Sequence, residues 1–86
     1  MAEDQSEVLQ RLTSKFIELG NEMKDSGEEM EVVSAALMSA SGFYATYAMA
    51  GNDGCLNAEG VELVTKAYGG TLQRVQDYKK SQAAKE

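Results

Sequence analysis

The side chains able to do chemistry in this 86-residue chain are fourteen carboxylates, four tyrosines and one thiol, Cys55; there is no histidine. Acid–base catalysis near neutrality needs a group that titrates there, so without histidine the task would fall to carboxylates displaced by burial. None of the acids lies within an apolar seam of the sequence; all sit on expected helix surfaces, helix ends or turns. No catalytic residue is assigned, and the chain is read as a non-enzyme. A single thiolate without histidine cannot build a zinc site, so no metal or cofactor is expected. Cys55 follows a glycine-rich turn and precedes a helix start, where a helix amino terminus can make a thiol more reactive. With no base to accompany it, the expectation is an ordinary, partly exposed cysteine.

Two glycine-rich segments invite a ligand. In Gly51-Asn52-Asp53-Gly54, aligning Gly54 with the sixth position of an EF-hand loop puts Met49 at the first ligand position and Gly60 at the twelfth, where carboxylates are required. The segment is read as a helix–helix turn. Gly69-Gly70 lacks the spacing and the following Lys-Ser or Lys-Thr of a phosphate loop, and is expected to mark a kink or a close backbone approach. Tyr44, Tyr47 and Tyr68 are candidates to line a small inter-helical cavity that could take a small molecule.

The elements that carry these residues are helices. The chain has no proline, no repeat and no strict apolar–polar alternation, so strands have no support. A first helix over about 5–25 opens at Asp4, with Glu7 three residues on, and carries an apolar stripe of Leu9, Leu12, Phe16, Leu19 and Met23, with Val8 beside it. Ser26 and Glu29 have capping-box spacing and predict a second helix over about 28–50, ended by Gly51 to Gly54. Asn57 is the expected cap of a third helix over about 58–81, with a Leu56/Val61 staple and a stripe of Val61, Val64, Tyr68, Leu72 and Val75. Residues 1–4 and 82–86 are expected to fray. The reading is one all-α domain spanning 1–86, three helices up and down, assembled as a dimeric helical bundle.

The middle helix sets the terms for the rest. From Val32 to Asn52 there is no charge, which is long enough for a bilayer. Its serines, glycines and asparagine, and acidic rather than basic flanks, favour burial in protein, so no membrane is expected. On a helical wheel, Met30, Val33, Leu37, Ala40, Tyr44 and Tyr47 form one seam, widened by Val32, Ala36 and Phe43; Ala35, Met38, Gly42, Ala45 and Met49 form a second, of small residues and methionines. If the first and third helices cover the broad seam, the second is left to meet its own copy, which makes it the candidate dimer interface; the first helix laid over the second seam instead would leave a monomer.

Charge restricts the partners. A net charge of -6 opposes direct binding of nucleic acid or anionic lipid. Glu18, Glu22, Asp25, Glu28, Glu29 and Glu31, met only by Lys24 in that window, form a candidate acidic docking patch. The amino-terminal MAEDQSEVLQ lacks the basic start and apolar run of a secretion signal, and with one cysteine the chain is expected to work in the cytoplasm.

The run Val33-Ser34-Ala35-Ala36-Leu37-Met38-Ser39-Ala40, followed by Phe43 and the tyrosines, resembles a family of small bacterial all-helical proteins known as a domain of unknown function. The likeness covers mainly the first two helices; it implies a bacterial cytosolic protein and supplies no catalytic residues. Three functional readings follow, in order: a homodimeric protein–protein interaction or regulatory module; an acidic inhibitor of a basic, nucleic-acid-binding target; and a small-molecule binder.

Overall fold

The computed structural model describes residues 4–85, and these form three α-helices and no strand: α1 (Gln5–Asp25), α2 (Met30–Ala50) and α3 (Ala58–Ala84). The expected all-α class holds. Of the ends expected to fray, residues 1–3 and 86 lie outside the described residues, while α3 runs on through Ala84 instead of ending near residue 81. The chain divides between Gly42 and Phe43 into two units, so α2 contributes its first part to one and its last part to the other.

In the first unit, α1 begins where expected. Asp4 is extended and its carboxylate accepts from the Glu7 amide at 2.8 Å, which satisfies one of the free amides of the first turn. The start of α2 differs from expectation. Ser26 closes α1 instead of opening α2: its amide donates to the Glu22 carbonyl at 3.0 Å, and its hydroxyl turns back to the same oxygen at 2.9 Å. Gly27 then takes a positive φ of 109°, its amide donating to Lys24 and that of Glu28 to Met23. This is the pattern of a Schellman cap, in which two carbonyls of the last turn are satisfied by the reversing chain. The sequence Ser-Gly-Glu-Glu serves a start or a stop equally well; the left-handed glycine decides for the stop. The Glu29 carbonyl accepts from the amides of Val32 and Val33, and α2 begins at Met30, two residues later than expected.

The two helices of this unit meet at Gly20. It is buried, and a β-carbon built on it would lie 3.5 Å from Val33 Cγ1 and 3.7 Å from Leu37 Cδ1. Val33 and Leu37 of α2 therefore lie over the backbone of α1 at a distance that still admits a β-carbon.

In the second unit, the last turns of α2 lead through a glycine turn into α3. Gly51 has a φ of 80° and donates to Tyr47, ending the helix. At Gly54 a β-carbon would run into the Ala50 carbonyl, so only glycine fits. Asn57 caps α3 as expected, its side chain accepting from the Gly60 amide at 2.8 Å, and Leu56 lies over the buried Gly60. α3 runs unbroken through Gly69-Gly70, where a close approach was expected, and a β-carbon on Gly69 would meet nothing within 4 Å. Local pairs support this long helix, among them Gln73 to Asp77 at 3.0 Å and Arg74 to Thr71 at 3.1 Å.

Two glycines on α1 and its cap should respond in opposite directions. Gly20→Ala adds a methyl at ordinary contact distance and removes a helix-interior glycine that costs about 1 kcal/mol, so the melting temperature should rise. Gly27→Ala forces a side chain into the left-handed region at a cost of about 1 to 2 kcal/mol and should lower it. Thermal unfolding followed by circular dichroism reads both.

Candidate interaction surfaces

The buried and exposed positions do not divide as a self-contained bundle requires. Among the described residues Val33, at 9% exposure, is the one large apolar side chain that is buried. Its neighbour in the broad seam of α2, Leu37, is 40% exposed, and Met30 and Tyr44 stand about 70% exposed. The middle helix, expected to be buried on more than one face, is buried at Val33 and half-buried at Ala45, Thr46 and Ala50, with its other residues exposed. The physical reason is local: Gly20 provides one close approach, and the side chains to either side of it are left uncovered.

The stripe of α1 is open in the same way. Leu9, Leu12, Phe16, Leu19 and Met23 are all exposed, Phe16 by 60%. On α3, Val61, Tyr68, Leu72, Val75 and Tyr78 are exposed and Val64 is half-buried. The sequence reading assigned the α1 and α3 stripes to a protomer core.

The face of small residues and methionines lies on the opposite side of α2 from Val33 by helical geometry. In the first unit Ala35, Met38 and Gly42 are exposed, Met38 by 57%; in the second, Met49 is exposed and Ala45 half-buried. Every member of the acidic patch is exposed, with Glu18, Glu22 and Asp25 on α1, Glu28 and Glu29 in the connection and Glu31 at the start of α2.

The tyrosine group is brought together only in part. Tyr47 packs against Tyr44 with ring centroids 5.4 Å apart and against Phe43 at 6.3 Å, both tilted. Tyr44, Tyr47 and Tyr68 are each exposed, so what the rings form is a surface cluster on α2. Cys55 is free and exposed in the loop before α3. No group of three or more His, Cys, Asp or Glu residues among the described residues is placed to hold a metal ion. α2 is long and apolar enough to cross a membrane by length and composition.

Compared with protein-family models, with curated proteins and with solved structures, the chain matches none. The reading of its function therefore stands on these surfaces.

The loop position of Cys55 gives a direct check on the local structure. A water-soluble alkylating reagent should modify it in the native protein within a few-fold of the rate in denaturant. Strong protection would show that the loop before α3 is covered.

Proposed function

We propose that this protein is a small, non-enzymatic, self-associating helical module whose role is to bind other proteins, and that its basic assembly is a homodimer in the cytoplasm. One observation carries the reading: all three helices expose their apolar faces, and a single large apolar side chain is buried among the described residues. Apolar surface on this scale is what obligate partners cover, and a second copy is the partner available wherever the chain is made.

The acidic patch suits a role after assembly. Six exposed carboxylates with one lysine among them favour basic protein surfaces, steering association and discriminating among partners more than adding affinity. Two seams compete for the two-fold contact, that of α1 and the small-residue and methionine face of α2.

Sedimentation equilibrium from low to high micromolar protein tests the reading. The expected result is the mass of two chains over most of that range, dissociating only at the dilute end. A chain that sediments as a monomer throughout would contradict it.

A further inference from the structure

We infer that the two-fold contact of this homodimer is made by α1, which pairs with α1 of a second copy in antiparallel orientation, so that two α1–α2 hairpins close into a four-helix layer. The inference rests on the homodimer reading and specifies which surface makes it. Three observations lead to it.

The first is area. In the first unit, Leu9, Leu12, Phe16, Ile17, Leu19 and Met23 of α1 are each 40 to 67% exposed, a strip along the whole helix. An apolar strip of this length is what an obligate helical partner covers. A partner touching a narrow strip would leave most of it uncovered, whereas a second copy laid along a full helix covers a large share.

The second is the arrangement around α1. Its seam of Leu9, Leu12, Phe16, Leu19 and Met23 is exposed, and its two flanks differ. On one flank stand Thr13 and Gly20, and Gly20 is where Val33 and Leu37 of α2 pack. On the other stand Val8, Lys15 and Glu22. The seam therefore lies between a side already taken by α2 and a side that carries charge, which is how a helix in a bundle presents itself to a neighbour.

The third is charge complementarity, and it selects the orientation. In an antiparallel pair of identical helices, each flank faces the same flank of the other copy. With the two-fold axis beside Ile17 and Glu18, Phe16 meets the second copy's Leu19, and Leu12 meets its Met23. The four central layers are then filled by large apolar side chains. In that register Lys15 falls opposite the second copy's Glu22, twice by symmetry, at the rim. The opposite flank brings Thr13 and Gly20 together, and the two α2 helices lie there on the same side of the α1 pair. A parallel pair would set Lys15 beside Gly20 and Glu22 beside Gly27, with no opposite charge to meet and with α2 already occupying that flank.

Charge exchange and sedimentation test this. Lys15→Glu and Glu22→Lys should each weaken the dimer several-fold by setting like charges face to face. The double variant should recover most of the wild-type affinity, because the pairs are re-formed in reverse. Phe16→Asp should weaken it by about a hundred-fold or more, as loss of a central aromatic anchor does. Met38→Asp should leave the dimer intact. Loss of the dimer in Met38→Asp with its retention in Phe16→Asp would overturn the α1 contact and leave the homodimer standing. Additive weakening with no recovery in the double variant would overturn the antiparallel register. A wild-type chain that is monomeric, or that co-sediments with neutral phosphatidylcholine vesicles instead of associating with itself, would overturn both readings.

Discussion

The constraint on which this structure depends is the excess of apolar side chains over the places where the chain can cover them. Helices in proteins gain most of their stability from packing an apolar face, since nucleation is costly and propensity alone is marginal. Each of the three helices has such a face, yet large-side-chain burial is concentrated where Val33 reaches the glycine of α1. That single approach fixes how α1 and α2 meet and leaves their remaining apolar residues directed outward. If a second copy covers these residues, as proposed, folding and association become parts of one process, as in dimers without a stable folded monomer.

The caps and turns of the chain were legible from the sequence because they depend on one or two residues each. Asp4 and Asn57 cap their helices as their types and positions require, and Gly51 supplies the positive φ that ends α2. Ser26 was ambiguous, because a serine followed by glycine and two glutamates fits a stop as well as a start; only the backbone angle of Gly27 resolves it. Gly69-Gly70 misled for a related reason. A pair of glycines announces the absence of side chains, and whether a neighbour fills the space depends on tertiary packing.

What the sequence could not assign was which stripe covers which. A helical wheel tells how many faces a helix has and says nothing of whether the neighbour comes from the same chain or another. The broad face of α2 and the α1 stripe look like core by composition, and the face of small residues and methionines looks like an interface; apart from buried Val33 and half-buried Ala45, the residues of all three are exposed on the single chain. The tyrosines show the same limit. Their spacing puts Tyr44 and Tyr47 on adjoining positions of one helix, and their rings touch, but spacing alone could not say whether anything encloses them.

Polar and apolar surfaces have separate tasks in this account. In the proposed assembly the seams meet, and the exposed acidic residues in and around the α1–α2 connection stay available to a basic partner. The central claim, that a second copy covers what the chain leaves exposed, is tested most directly by the thermal unfolding midpoint as a function of protein concentration. For folding coupled to dimerisation the midpoint must rise steadily as the protein is concentrated, with helicity lost as the dimer dissociates. A sharp transition at one temperature, unchanged from low to high micromolar protein, would contradict it.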